Sequence, residues 1–85
     1  MKPVTVYTTN WCPYCVRAKK LLGDRGIPFT EVDVEGDDEK RAWLVRTTGQ
    51  RTVPQIFIGE ESVGGFSELR ELDVAGDLMP KVQGL

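Results

Sequence analysis

The first 34 residues constrain the fold most, because they carry a strand pattern, a helix pattern and a second strand pattern in succession. β-Branched and aromatic side chains at residues 3–8 predict the first strand. Helical spacing of apolar residues begins at Pro13, which suits a first helical turn, and continues until Gly23 and Gly26 mark its end. Residues 29–34 alternate apolar and polar side chains, which predicts a second strand with one covered face. A helix joining two such strands predicts a parallel pair with a right-handed crossover.

A second helix is predicted over residues 38–47, and a hairpin with a third helix follows it. Residues 55–58 are expected to form a short strand, and residues 59–61 a turn into the return strand. A helix over residues 67–75 completes the pattern, and the last residues are expected to fray or add a short turn. The order β-α-β-α-β-β-α predicts an α/β fold, with a four-stranded mixed β-sheet flanked by three helices. The positions expected to be buried in the second helix are Ala42, Leu44 and Val45, and the helical periodicity of the third runs through Leu69, Leu72 and Val74 or Ala75.

Composition indicates a small globular domain and excludes some classes of partner. The 85 residues, with a mass of 9.5 kDa, predict a single domain over residues 1–85. A net charge of −2 provides no concentrated basic surface for phosphates, so no nucleic-acid partner is expected. No apolar run approaches the ~20 residues that span a bilayer, and the first residues carry no signal-peptide core. A cytoplasmic protein with no membrane partner is therefore expected.

The sequence Cys12-Pro13-Tyr14-Cys15, at the start of the predicted first helix, carries most of the functional information. Unpaired backbone N–H groups and the dipole at a helix N-terminus favour an anion, so Cys12 is the predicted nucleophilic thiolate. Cys15 follows three residues later on the same side of the helix, and is predicted to be the more buried, resolving thiol. A Cys-x-x-Cys pair beside a β-α-β pattern is typical of redox proteins.

Two other interpretations of the cysteine pair are weaker. A structural disulfide would close only a tiny loop, so it would constrain the unfolded chain little. A structural zinc site needs about four Cys or His ligands. The chain has two Cys and no His, so a zinc site would have to be shared between subunits, and no metal-ligating residue is assigned. The absence of His also excludes Cys-His nucleophilic pairs and Ser-His-Asp triads.

A proline stands directly before the third predicted strand, in the sequence Thr52-Val53-Pro54. A proline at a strand entry is ordinarily found at the edge of a sheet. A cis bond before Pro54 would instead place the Val53 backbone beside the thiol, free to pair with an extended, peptide-like substrate. Sequence leaves both isomers open, because cis is the minority form of X-Pro bonds.

Two glycines and a helix start follow the predicted hairpin. Gly64 and Gly65 allow close backbone approach or a positive φ angle. The following helix start, at residues 66–68, offers backbone N–H groups to a carboxylate. The alternative interpretation of the same segment is a turn with an ordinary helix cap.

In combination these motifs resemble the glutaredoxins, specifically the small bacterial dithiol kind. The matching pieces are Tyr7-Thr8, the motif at residues 12–15, residues 52–58 and Gly64-Gly65, in an order and spacing that cover Val4 to about Leu78. The resemblance implies a thioredoxin fold and a glutathione-disulfide oxidoreductase, with glutathione as co-substrate and no bound cofactor. Glutathionylated or disulfide-containing proteins such as ribonucleotide reductase are the implied partners, and a monomer is expected.

The resemblance also implies a glutathione site around the first thiol, which would take the glutathionyl sulfur. The Val53 backbone would pair with the cysteine of glutathione. Ser67 and Glu68 would hold its γ-glutamyl end, and Gln50 or Arg51 its glycine carboxylate. The full set of implied glutathione-binding residues is Tyr14, Gln50, Arg51, Thr52, Val53, Pro54, Gly65, Ser67 and Glu68.

Two departures from the family pattern leave other functions open. Many members carry a Lys three residues before the first Cys, where this chain has Thr9, so Arg17, Arg51 or another basic residue would have to compensate. Trp11 resembles the residue found in thioredoxins and mycothiol-linked relatives, so another small thiol or thioredoxin reductase is an alternative reductant. An iron–sulfur carrier, with a cluster bridged by Cys12 of two chains and two glutathiones, is the alternative of a different class.

Charge is unevenly distributed along the chain. An acidic run over residues 31–39 follows a group of early basic residues. One interpretation is two solvated faces. The other places the basic group near the active thiol, where it favours the anion. The early basic residues are Lys2, Arg17, Lys19, Lys20 and Arg25.

Overall fold

The structure, a computed structural model, describes residues 1–84, so the single-domain prediction extends one residue beyond the described part. The strands are β1 (Val4–Thr8), β2 (Thr30–Asp33), β3 (Gln55–Ile58) and β4 (Glu61–Gly64). The helices are α1 (Pro13–Asp24), α2 (Asp38–Thr48), α3 (Phe66–Val74) and α4 (Leu78–Gln83). Within residues 1–84, no helix combines the length and the apolar character needed to cross a membrane.

The four strands of the described chain form one mixed sheet in the order β2-β1-β3-β4. β1 and β2 run parallel, with Val6 opposite Glu31, as the predicted crossover requires. β1 and β3 run antiparallel, with Val6 opposite Ile56, and β4 returns antiparallel to β3. The predicted α/β fold and its element order are therefore confirmed, and the strands with the most buried residues, β1 and β3, lie at the centre.

Helices cover the sheet on both faces. One face carries the larger core, in which Val6 and Ile56 pack with residues of α1, α3 and α4, including Leu22 and Leu69. The other face carries a smaller core formed by Val34, Leu44 and Phe57, with Tyr7, Val32 and Val53 packed against it. Because both cores bury the central strands, the end of β1 and the start of β3 are held in place. The loop at residues 9–12 follows β1, and the segment at residues 52–54 leads into β3.

Burial on α2 and α3 differs from the prediction. Ala42 is exposed and Val45 is half-buried, so Leu44 is the buried position of α2. The reason is that α2 meets the sheet along a narrow stripe, where Trp43 lies over Phe57 with the ring centroids 5.9 Å apart. On α3 the apolar periodicity coincides with burial at Leu69 and in part at Leu72, which is half-buried. Val74 and Ala75 are exposed, because the last turn of α3 faces solvent and Leu78 and Val82 of α4 complete the larger core.

Two predicted boundaries also move. α1 continues through Gly23 to Asp24, because glycine is tolerated within a helix at modest cost. The chain leaves α1 at Gly26, which takes a φ of +68° that favours glycine. Glu61, predicted in the turn, is the first residue of β4.

The residues expected to fray or add a short turn form the helix α4. Leu78 and Val82 are fully buried in the larger core. The backbone N–H of Lys2 donates to the Val82 carbonyl at 2.6 Å, and Lys81 pairs with Glu61 at 2.9 Å. α4 is therefore a structural part of the domain.

Replacing Leu78 with alanine should lower the free energy of unfolding by about 2–5 kcal/mol, because it leaves a cavity in the larger core. The matched control is Val74→Ala at the exposed end of α3, with an expected change within about 0.5 kcal/mol. Equilibrium urea unfolding of both variants measures this difference. Equal, small losses would mean that α4 does not stabilise the domain.

Candidate active site

Cys12 is the residue immediately before α1, and its sulfur caps the helix. Pro13 occupies the first helical position, and the Cys15 backbone N–H donates to Cys12 Sγ at 3.2 Å. The first turn of α1 carries no acidic side chain, so no negative charge on that turn offsets the positive end of the helix dipole that faces the sulfur. The predicted geometry of a nucleophilic thiol at a helix start is present.

The backbone of Val53 lies against the same sulfur. Cys12 Sγ donates to the Val53 carbonyl at 3.6 Å, and the Val53-Pro54 peptide bond is cis, which resolves the alternative that the sequence left open. The segment is held from behind by the buried Gln55 side chain, whose Nε2 donates to the Thr52 carbonyl at 2.9 Å. The Val53 backbone is thus held within contact distance of the thiol.

Cys15 is buried, with 2% of its surface exposed, one turn into α1. Burial raises the pKa of the Cys15 thiol to about 12, and the hydrogen bond with Cys12 adds to the rise. The Thr9 backbone and the positive charge of Lys19 lower the same pKa without cancelling these effects. Cys15 is therefore protonated at neutral pH, as expected of a resolving thiol that reacts only when a disulfide forms beside it.

The glycine pair brings the start of α3 to the thiol. Gly64 takes a φ of +115°, and a Cβ there would lie 2.7 Å from Glu68 Oε1, so the turn requires glycine. A Cβ on Gly65 would lie 3.4 Å from the Pro54 carbonyl oxygen, so the first turn of α3 packs beside the cis proline. The Gly65 N–H donates to Glu68 Oε1 at 2.8 Å. The Glu68 carboxylate is therefore engaged in capping its own helix.

Tyr14 links the starts of α1 and α3. Its side chain is 55% exposed, its ring centroid lies 6.3 Å from that of Phe66, and the Arg17 guanidinium lies 5.2 Å from the same ring. A groove of about 540 Å³ opens between Tyr14 and α3, with Ser67 in its wall. This groove provides an exposed aromatic surface near the thiol.

The structure brings some of the expected glutathione-binding residues together and places others on exposed segments. Val53 touches Cys12, and Pro54 and Gly65 lie next to each other. Ser67 is exposed in the first turn of α3. The other expected residues lie exposed in the segment between α2 and the cis proline: Gln50, Arg51 and Thr52.

The early basic residues separate in the structure. Lys20 pairs with Asp24, and Arg25 with Asp73 on α3, both on the solvated surface. Lys19, in contrast, lines the same cavity as Cys12 and Cys15. Lys19 is one of the five early basic residues that one interpretation of the sequence places near the thiol, and its spacing of four residues from Cys15 on one helix face is the signal that distinguishes it.

Trp11 stands immediately before the nucleophile and is 99% exposed. Its φ of +58° lies in the left-handed region, which is uncommon for a bulky residue. This backbone conformation directs the indole into solvent beside the reactive sulfur.

In a Cys12→Ser variant, alkylation of Cys15 should keep accelerating well above about pH 8.5, where an ordinary thiol reaches its limiting rate. The reason is that burial holds the pKa of Cys15 above its usual value, so the thiolate fraction is smaller at each pH. Iodoacetamide trapping followed by mass spectrometry gives the rate. The same variant unfolded in urea is the control, and a plateau at the same pH in both states would contradict the assignment.

Comparison with known proteins agrees with this geometry. The glutaredoxin family model matches residues 4–63. The glutaredoxin of Pseudomonas aeruginosa is 54% identical over 78 residues, which cover 92% of this chain and 93% of that protein. Glutaredoxin 3 of Escherichia coli is 44% identical over 80 residues, covering 94% and 96%. The structure of a buckwheat glutaredoxin–glutathione complex matches with a TM-score of 0.91 and 33% identity, over 98% of this chain and 78% of that one. The chain belongs to the glutaredoxin family, and it is a thiol–disulfide oxidoreductase.

Proposed function

We propose that the chain is a glutathione-dependent oxidoreductase that reduces protein–glutathione mixed disulfides and protein disulfides. The observation that carries the proposal is the position of Cys12 Sγ, which caps α1 and lies 3.6 Å from the Val53 carbonyl. A nucleophilic sulfur beside a backbone carbonyl of the cis-proline segment suits a substrate that is itself a disulfide between short peptide segments. We assign the catalytic roles to Cys12 and Cys15.

In the first branch, the Cys12 thiolate attacks the glutathione sulfur of a glutathionylated protein. A new disulfide forms between Cys12 and glutathione, and the protein thiol leaves with the electron pair of the broken bond. A second glutathione, as its thiolate, then attacks the glutathione sulfur of this adduct. Glutathione disulfide is released and Cys12 is restored as a thiolate.

In the second branch, Cys12 attacks a protein disulfide and forms a mixed disulfide with one of its sulfurs. Cys15, one turn away, then attacks Cys12 Sγ, which releases the target protein in its reduced form. Two glutathiones later reopen the Cys12–Cys15 disulfide. Glutaredoxins of this kind have reduction potentials of about −200 to −230 mV, close to that of the glutathione pool.

The glutathione site is proposed to lie along the cis proline and the start of α3. The Val53 backbone would pair with the cysteine of glutathione, and Tyr14 would flank the bound molecule. The γ-glutamyl carboxylate would meet the backbone N–H groups of Ser67 and Glu68 at the helix N-terminus, since the Glu68 side chain already caps Gly65. The similarity to a buckwheat glutaredoxin–glutathione complex supports glutathione as the ligand.

Two parts of the proposal remain: the residues that hold the glycine end of glutathione, and the protein substrates. Gln50 or Arg51 would hold the glycine carboxylate, with Thr52 lining the path to the thiol. We propose a monomeric, cytoplasmic, single-domain protein that needs no bound cofactor. Its substrates would be glutathionylated or disulfide-containing proteins such as ribonucleotide reductase.

The decisive experiment couples turnover of a glutathione mixed disulfide to NADPH consumption through glutathione reductase. Cys12→Ser should abolish turnover, because no other sulfur lies at the helix start. Cys15→Ser should keep this turnover while losing the reduction of protein disulfides, because only the second branch uses Cys15. Glutathione-independent reduction through thioredoxin reductase, or loss of all turnover in Cys15→Ser, would contradict the proposal.

Replacing Arg51 with glutamine should raise KM for glutathione about threefold or more while leaving kcat within about twofold, because it removes a charge-assisted contact to a carboxylate. Arg46→Gln, an exposed position on α2, is the matched control for the loss of one positive charge. Steady-state kinetics at varied glutathione concentration separates the two constants. An equal KM for both variants would mean that Arg51 does not hold the glycine carboxylate.

A further inference from the structure

A second cavity, of about 440 Å³, opens on the β2 side of the reactive sulfur. Both Cys12 and Cys15 line it, whereas Val53 approaches Cys12 from β3. The ionisable side chains that face it, besides the two thiols, are Lys19 from α1 and Glu31 and Asp33 from β2. The proposed glutathione site does not use this cavity.

A hydrogen-bonded network fixes the Lys19 side chain at this cavity. Lys19 Nζ lies 3.0 Å from Glu31 Oε2, and the Thr8 hydroxyl donates to the same oxygen at 2.8 Å. Thr8 is buried at the end of β1, so it anchors Glu31 from the interior side. Thr8 and Lys19 both lower the pKa of Glu31, so the carboxylate stays charged at neutral pH.

The network by itself contributes little to the stability of the fold. The Lys19 and Glu31 side chains are 33% and 39% exposed, and ion pairs of that exposure contribute little to the free energy of folding. Its position matters more than its strength. Lys19 follows Cys15 by four residues on the same face of α1, and its charge lowers the pKa of Cys15 against the opposing effect of burial.

Asp33 is the remaining charged group facing the cavity. Its Oδ1 accepts from the Glu35 backbone N–H at 2.8 Å, which holds it in the turn after β2. Its negative charge and that of Glu31 both oppose formation of a second anion in the cavity. Lys19 is therefore the side chain of the cavity lining whose charge favours a thiolate at Cys15.

We propose that Lys19, held by Glu31 and Thr8, is a positioning residue that speeds the attack of Cys15 on the Cys12 mixed disulfide. The inference rests on the proposed dithiol branch. In this step Cys15 gives its proton to water in the cavity, and its sulfur electron pair forms the bond to Cys12 Sγ. The bond between Cys12 and the outgoing sulfur breaks, and that sulfur leaves as a thiolate. The Lys19 ammonium stabilises the transient negative charge on Cys15.

The test follows two reactions in time by acid quenching and mass spectrometry. Reduced protein is mixed with glutathione disulfide or, separately, with hydroxyethyl disulfide. Formation of the Cys12 adduct depends on the concentration of the disulfide, whereas closure of the Cys12–Cys15 disulfide does not. Lys19→Gln should slow closure about three- to tenfold near pH 7 and move its pH profile upward, while leaving adduct formation within about twofold.

Matched controls separate this effect from a structural one. Lys20→Gln removes the same charge from the next residue of α1, whose partner is Asp24, and should leave closure within about twofold. Lys19→Arg should restore the wild-type pH profile. Added salt should slow closure in the wild-type protein and not in Lys19→Gln, because screening acts on the charge that the variant lacks.

Each outcome has a defined meaning. Equal closure rates and pH profiles for Lys19→Gln and Lys20→Gln would overturn the proposal. A wild-type closure rate that is independent of salt would also overturn it, even if Lys19→Gln did not fold. Closure with hydroxyethyl disulfide but no reaction with glutathione disulfide would contradict the glutathione proposal alone and leave the role of Lys19 testable in the same data.

Discussion

The sulfur of Cys12 acting as the cap of α1 is the contact on which the site depends. It places the nucleophile at the only part of the helix where backbone N–H groups are unpaired, and it accepts one of them from Cys15. The same contact sets the distance between the two cysteines, because the donor is the backbone of the resolving residue. Capping, charge stabilisation and the geometry of disulfide closure are thus consequences of one hydrogen bond.

The two cysteines differ because Cys12 reaches the surface whereas Cys15 is buried one helical turn away. Cys12 is partly exposed and contacts the Val53 carbonyl, so an incoming disulfide meets it first. Cys15 is buried among the residues of the first turns of α1, and burial keeps its pKa high. A thiol that stays protonated does not compete as a nucleophile, in agreement with the order of attack that we propose for Cys12 and Cys15.

Local patterns predicted the sheet, the order of elements, and the position of Cys12 at the start of α1 with Cys15 buried one turn later, because these depend on short-range spacing and on the identity of residues 12–15. Which residues of a helix are buried depends on the surface that the helix packs against, and local spacing does not contain that information. Ala42 and Val74 have the right spacing, but α2 meets the sheet along one narrow stripe and α4 takes the space below α3. α4 itself is too short for its periodicity to be recognised, and it is stabilised by tertiary contacts of Leu78 and Val82.

The position of the Lys19 side chain likewise depends on tertiary contacts that local spacing does not reveal. Its partner Glu31 is twelve residues later, and the pairing depends on the parallel register that sets Val6 opposite Glu31. The sequence allows both isomers of the Val53-Pro54 bond, and the packing of Gly65 against the Pro54 carbonyl depends on the tertiary fold.

The two tryptophans of the chain have opposite environments, and this has a practical consequence. Trp11 projects into water one residue before the reacting sulfur, whereas Trp43 lies stacked over Phe57 on the far face of the sheet. Unfolding of the smaller core therefore changes the environment of Trp43 far more than that of Trp11, which is already in water. Trp43 is thus an intrinsic fluorescent probe of the fold, with no label attached.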